Sequence, residues 1–433
     1  MTPQPPLASD AQPPPATGPS RWLEHMGALS AARLVAPVVR MAVPVWLSRL
    51  LGVEGLGNYQ LVMSYYVIFS AVASLGLWGL VVRDMAAQRA RAGTLLLHAS
   101  MLSIAASVPM ALVMGTTGVG YGGETEVAMW IMAIGLLPAG VALYSEGALL
   151  ALNKAGYVAG LMLGEEAVLT ALTCGVLWWG YGLVGVVVTT VLVRVTAAAV
   201  RFAVTARLIG GFSWQIDLPT VRHMLRRAPV FFGATVLSAL FWRLDLVMLS
   251  WLGSTTDVGL YAAALRFVNM CQEVPAAILA TIFPRLSALH GESREGFRTL
   301  FAGSAKYLSL LAIGTSAAIT LMGPAFIRLL FGSKFDASVP VLQVLIWSLL
   351  PFSLMKLLGS ALIASHNQVA DLLINAVVLA VNVCLKLLLI PLYGPVGAAW
   401  ATIGAVSLAV AMRGRFFWDN TRVSASVAPA RVP

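Results

Sequence analysis

Long apolar runs alternate with short polar connections along the chain, and these runs set the secondary structure before any motif does. A helix rising 1.5 Å per residue needs roughly 20 apolar residues to cross a hydrocarbon layer about 30 Å thick. Runs of that kind lie near residues 29–50, 57–82, 94–115, 126–151, 157–179 and 183–208, and again near 229–252, 258–282, 304–323, 338–363, 370–390 and 394–412. The pattern predicts an all-α polytopic membrane protein of about 12 transmembrane helices in two groups of six.

Composition agrees with the pattern. The 433 residues are 59% hydrophobic and 11% charged, with a mean hydropathy of +0.85, whereas soluble domains carry about 25% charged residues. The first twenty residues hold seven prolines and no apolar run, so they read as a disordered tail and not as a signal peptide. The expected organisation is a tail over 1–24, a six-helix lobe over 25–209, an interfacial linker helix over 210–228, a second six-helix lobe over 229–415 and a tail over 416–433. The linker reading rests on Val221, Met224 and Leu225 interleaved with Arg222, His223, Arg226 and Arg227.

Several function classes fall away. Cys174, Cys271 and Cys384 lie inside apolar runs without metal-ligand spacing, so no metal or other cofactor is expected. None of the five lysines follows a glycine, which excludes a Gly-x-x-x-x-Gly-Lys phosphate loop. The outer connections are roughly 15 residues or shorter, too short for the polar loop that a membrane-embedded glycan polymerase or ligase would want.

Charge sets the expected orientation. With both termini cytoplasmic, the cytoplasmic segments hold seventeen Lys and Arg, against Arg49, Arg328 and Lys334 outside; excess positive charge belongs inside. The net charge of +10 reflects basic loops against anionic headgroups and does not imply nucleic-acid binding. Arginine outnumbers lysine 23 to 5, and with abundant Ala, Gly and Val this composition suggests a GC-rich bacterial genome.

An internal repeat underlies the two groups. "LGVEGLGNY" (51–59) is echoed by "LGSTTDVGLY" (252–261), and the intervals Tyr59 to Arg83 and Tyr261 to Arg285 are both 24 residues. "GALLALNK" (147–154) pairs with "SALIASHN" (360–367), and "YGLVG" at 181 with "YGPVG" at 393, so the offsets run from 202 to 213. Six helices followed by six from the same side predict parallel repeats about an axis along the membrane normal, an arrangement typical of transporters. In the first copy Gly52 is expected to end helix 1, Gly57 to ease the turn and Tyr59 to anchor helix 2 at the interface.

These stretches carry a family resemblance. The hairpin "LSRLLGVEGLGNYQLVMSYYVIFSAVASLGLWGLVVRDMA", the segment "RLDLVMLSWLGSTTDVGLYAAALRFVNMCQEVPAAILATIFPRLS" and "YGPVGAAWAT" resemble oligosaccharide flippases of the O-antigen type. These are polysaccharide-biosynthesis exporters of the multidrug/oligosaccharidyl-lipid/polysaccharide (MOP) superfamily, and the likeness covers residues 25–415. It implies two MATE-like lobes around a central cavity, lined by helices 1, 2, 7 and 8, that moves a lipid-linked sugar across the bacterial inner membrane by alternating access. Its expected partners are a lipid-linked glycan, membrane lipids, and the polymerase and glycosyltransferases of the same pathway.

Eight basic residues fall inside the runs: Arg33, Arg40, Arg194, Arg201, Arg243, Arg266, Lys356 and Lys386. A mid-membrane Arg or Lys costs about 2.5–3.5 kcal/mol on insertion scales, so it tends to face a cavity or a partner. Arg40, Arg243 and Arg266, with Arg33, Lys356 and Lys386, are the candidates for a clamp on a diphosphate headgroup, because guanidinium forks bind phosphate oxygens bidentately. Arg33, Arg194 and Arg201 have an alternative as snorkelling residues near the cytoplasmic boundary. Asp245, Glu273, Glu165 and Glu166 are candidates either for ion coupling or for pairing with these cations, and Asp245 is expected to find its partner on another helix. Tyr65, Tyr66, Trp78, Trp242 and Asn269 offer stacking or hydrogen bonds to sugar, or simply pack. The rival reading is a multidrug efflux antiporter of the same superfamily, which should favour an acidic or aromatic cavity; a non-transporting membrane scaffold is a third.

Overall fold

A computed structural model describes residues 19–210, 217–365 and 367–426. Its helices are α1 (Pro19–Ala73), α2 (Trp78–Ala87), α3 (Ala92–Gly118), α4 (Gly123–Ile134), α5 (Leu136–Ala151), α6 (Ala155–Trp178), α7 (Gly182–Ile209), α8 (Leu218–Leu252), α9 (Thr255–Glu292), α10 (Arg294–Phe331), α11 (Ser338–Leu345), α12 (Leu349–Ala364) and α13 (Gln368–Ser426). Among the described residues no strand occurs.

The protein is a multi-pass helical membrane protein. Among the described residues eight helices are long and apolar enough to cross a membrane, or ten when the bent pairs α1–α2 (47°) and α4–α5 (43°) each count as one span. The expectation of about twelve differs from this count because two expected outer turns are kinks inside continuous helical runs. α1 has 55 residues and α13 has 59, lengths of about 80–90 Å if straight, far more than one crossing needs. Each contains one non-helical glycine, Gly52 (φ 74°) and Gly394 (φ 55°), in conformations that side chains disfavour. Large apolar side chains such as Leu112, Leu192, Leu310, Leu321 and Leu388 stand exposed on the outside of the bundle, as hydrocarbon permits.

Two ends of the bundle behave differently. At the hairpin end, near Gly52 and the α8–α9 turn, α1 and α9 touch backbone to backbone. A Cβ on Gly57 would lie 2.0 Å from the Thr255 carbonyl oxygen, and one on Gly259 would lie 2.1 Å from that of Val53. Gly57 therefore serves close approach inside a helix and not the ease of a turn. Tyr59 is buried (7% exposed) and not an interfacial anchor. Around this contact Arg49 donates to the carbonyls of Leu329 (2.6 Å) and Leu330 (3.0 Å), the Tyr121 and Ser250 hydroxyls bond at 2.8 Å, and Trp251 donates to the Tyr65 hydroxyl at 3.0 Å. The largest apolar core lies here, with Leu47, Leu56, Met132, Val187, Leu249, Val258 and Leu342 among its members.

The opposite, linker end carries the α2–α3 and α5–α6 connections and the start of α8. The expected interfacial helix and the seventh span form one continuous helix of 35 residues with Pro229 inside it, so the expected boundary at 229 falls within α8. Its first turns sit on the N-terminal helices: Met224 and Ala228 join the core of α2, α3 and α5, while Leu225 is exposed. Arg91 ties down the helix start by donating to Asp217 (2.6 Å) and Thr220 (3.0 Å), and the Asp217 backbone N–H donates to His98 Nε2 (2.8 Å). Hydrogen bonds from the Thr220 hydroxyl and backbone N–H, with the Arg91 charge beside them, hold the Asp217 carboxyl below the ordinary carboxylate range.

A Gly57→Ala substitution forces a methyl group into the Thr255 carbonyl and should cost about 1–3 kcal/mol of overpacking. Gly233→Ala in α8 meets nothing within 4 Å and gains helix propensity. Thermal unfolding of the detergent-purified proteins should show a lowered midpoint for the first and an unchanged or raised one for the second.

Candidate functional site: a cationic cavity between the helices

The cavity grows from a stripe on α8. Ala234, Ser238 and Trp242, with Thr235, Ala239 and Arg243 beside them, recur every four residues and so share one helical face. Small residues leave room along this stripe before Trp242 and Arg243 cap it. Three pockets of about 780, 540 and 380 Å³ share Trp242 in their walls.

The largest pocket lies on the N-terminal side. Tyr66 and Ser70 of α1, Ser74 just beyond its end, Glu165 of α6, and Arg194 and Arg201 of α7 line it opposite the α8 stripe. Arg194 and Arg201 are seven residues apart, two turns on one face. The Arg194 guanidinium sits 4.6 Å from the Tyr66 ring centre and donates to its hydroxyl at 3.3 Å. Arg201 pairs with Glu165.

The second pocket lies on the C-terminal side, between α8, α12 and α13. Arg413, only 4% exposed, donates to Asp371 and to Asn375, both at 2.8 Å, and Asn375 donates to Asp371 at 3.1 Å. Lys356 projects from α12 with its ammonium 5.6 Å from the Trp242 ring centre and 5.5 Å from that of Phe352. The two rings meet edge to face at 5.4 Å. The third pocket is the most polar, with Arg243 and Lys356 shared from its neighbours and Arg266, Asn269, Gln272 and Glu273 added from α9. All three together present six cationic side chains and three carboxylates.

Several sequence candidates therefore converge: Arg243, Arg266, Lys356, Glu273 and Glu165 all reach the cavity. Arg194 and Arg201, which also had the snorkelling alternative, are cavity-wall residues. Glu166 is half-buried on α6 and is not among the lining residues of these pockets. The expectations for Arg33 and Arg40 fall outside the described side chains. Arg413 reads as a tail charge because it follows the last apolar run; only the small residues of α8 and the acid and amide at Asp371 and Asn375, one turn apart, hinted at its pocket.

Lys386 is elsewhere. It is fully buried (0% exposed) and paired with Asp245, whose carboxylate also accepts from the Tyr261 hydroxyl (2.7 Å) and the Thr402 hydroxyl (3.2 Å). Asp245 thus has its partner on another helix, and Lys386 lies among packed side chains rather than in the cavity wall. Such a pair survives in low dielectric because the carboxylate is satisfied by several donors.

A helical bundle of this shape around a polar cavity is the architecture of MOP-superfamily transporters. The chain has TM-scores of 0.72 with the lipid II flippase MurJ in an inward closed conformation (16% identity, 90% of this chain and 87% of that chain) and 0.71 with a multidrug resistance MATE transporter in an inward-facing conformation (16% identity, 92% and 98%). A MOP-superfamily transporter from Pyrococcus furiosus, titled for the reverse polarity of its binding pocket, matches at 0.67 (18% identity, 94% and 97%). The family model for polysaccharide biosynthesis proteins matches residues 23–290, and that for the lipid II flippase MurJ matches residues 162–421. Each match spans more than half of the sequence, and the chain belongs to the polysaccharide biosynthesis protein family of this superfamily.

Curated relatives include a probable flippase, AglR, of Haloferax volcanii (27% identity over 38% of this chain and 35% of that protein) and a putative O-antigen transporter of Escherichia coli (25% identity over 47% and 50%). The chain matches about a third to a half of the length of these relatives.

Removing one member of the buried pair leaves the other charged and unpaired, a cost of about 3–5 kcal/mol, whereas replacing both by apolar residues is often neutral. Lys386→Met should therefore sharply reduce the folded yield and melting temperature, and Lys386→Met combined with Asp245→Leu should recover most of both.

Proposed function

We propose that this protein flips a polyprenyl-diphosphate-linked oligosaccharide across the bacterial inner membrane by alternating access, for surface polysaccharide biosynthesis. The observation that carries this reading is the charge of the cavity: six cations against three carboxylates around a polar space large enough for a headgroup and sugars. Cations in a low-dielectric site bind a diphosphate strongly, and guanidinium groups add directional pairing. Arg243 and Lys356 stand where the pockets join and are assigned to the diphosphate together with Arg266, while Trp242, Tyr66, Asn269 and Gln272 are assigned to the glycan.

The lobes over 25–209 and 229–415 are assigned as the rocking units. Contact at the hairpin end and a cavity displaced toward the linker end correspond to a state open to the cytoplasm, given termini placed inside by the charge bias. Family membership and the similarity to a probable flippase and a putative O-antigen transporter support the same cargo class. A multidrug antiporter reading has the MATE neighbours in its favour, but an organic cation would meet Lys356 directly over the Trp242 and Phe352 rings that should hold it. Of the carboxylates considered for coupling, Glu273 and Glu165 face the cavity; Glu165 pairs with Arg201, so Glu273 is the one assigned to that role, and Asp245 is assigned to structural pairing. The polymerase and glycosyltransferases that handle the same glycan are its expected partners.

Loss of one charge-assisted contact should weaken cargo binding by about 1.5–3 kcal/mol, roughly tenfold to a hundredfold. In a strain depending on this chain for export, Arg243→Ala with Lys356→Ala should lower surface glycan by at least about tenfold at unchanged protein abundance. Normal export by the double variant would defeat the diphosphate assignment.

A further inference from the structure

A fourth pocket, of about 380 Å³, lies on the outer face of the bundle between α6 and α7. Gly160, Gly164, Val168 and Leu172 form one side and Leu192 and Val200 the other. A Cβ added at Gly160 or Gly164 would meet nothing within 4 Å, so these glycines leave an open trough. From residue 160 to residue 172 it extends about 18 Å at 1.5 Å per residue, roughly one leaflet. It begins near the start of α6, at the linker end.

This groove and the central cavity share a wall. Glu165 and Arg201 line both, and they are joined as an ion pair across it. On the cavity side, one turn pair along α7, Arg194 has a buried Nε without a hydrogen-bond partner among the described residues. The cavity side thus suits an anionic group and the groove an apolar chain, with only the paired Arg201 and Glu165 between them.

We infer that the α6–α7 groove holds the polyprenyl chain of the cargo, and that the Arg201–Glu165 pair is the barrier its diphosphate end passes or straddles. The inference rests on the cargo class proposed above. A polyprenyl diphosphate joins its phosphate directly to the first isoprenyl carbon, which matches the abrupt change from cationic cavity to apolar trough. A glycerophospholipid interposes glycerol and ester groups and fits that boundary less well. The position in the linker-end leaflet matches the side on which the cavity is displaced.

The test uses the full-length protein in nanodiscs with two probes: a long-chain polyprenyl diphosphate and isopentenyl diphosphate, which has too little chain to fill the groove. Gly164→Phe should lower the ratio of long-chain to short-chain affinity by about tenfold or more. Gly314→Phe, which places the same ring on exposed α10, should leave that ratio unchanged and controls for the burden of the substitution. An unchanged ratio in folded Gly164→Phe overturns the inference. So does equal competition by excess phosphatidylglycerol and by unlabelled polyprenyl diphosphate, which would mark an ordinary lipid site. Arg243→Ala tests the headgroup reading separately: if it alters neither probe while Gly164→Phe lowers the ratio, the diphosphate clamp fails and the groove stands.

Discussion

A charge inside a bilayer must be paired or must face water, and the interior of this protein is arranged around that constraint. Its intramembrane cations meet the constraint in three ways. Lys386 is sealed against Asp245 with hydroxyls completing the carboxylate. Arg201 and Arg413 line the cavity already neutralised by Glu165 and by Asp371 with Asn375. Arg194, Arg243, Arg266 and Lys356 line it as well, so cations outnumber carboxylates in its walls. Aromatic rings beside Arg194 and Lys356 give these cations a partial partner without cancelling their charge.

The same constraint explains how far the sequence could be read. Apolar runs of bilayer length are a local property, so the helical membrane class and most helix positions were visible. The glycine-rich stretch at 51–59 was visible as a break, but its purpose was not, because the carbonyl that approaches Gly57 comes from Thr255, far along the chain. Lys386 and Asp245 lie 141 residues apart, and nothing local separates a buried pair from a cavity lysine. Arg413 was misread for the opposite reason: its neighbours resemble a tail, while its partners are Asp371 and Asn375 on the same long helix folded back at Gly394. Pairing is tertiary, and periodicity carries no trace of it.

α8 links the two ends mechanically. Its first turns pack into the core of α2, α3 and α5 through Met224 and Ala228, and its last turns hold Asp245 against α9 and α13. Between them lies the cavity stripe, so the helix that shapes the site is anchored in both halves of the sequence. Three features that favour bending fall just before and at the start of that stripe. Pro229 has no N–H to donate, Gly233 has open space beside it, and the Thr235 hydroxyl bonds back to the Phe231 carbonyl at 2.9 Å, a contact that favours helix bending. Opening of the hairpin end with both anchors kept must therefore bend α8 between about residues 229 and 235, roughly two to four turns from Trp242 and Arg243. Such a bend would change the spacing between the cations on α7 and those on α8, α9 and α12, so closure at one end and grip on an anion in the cavity are coupled through a single helix.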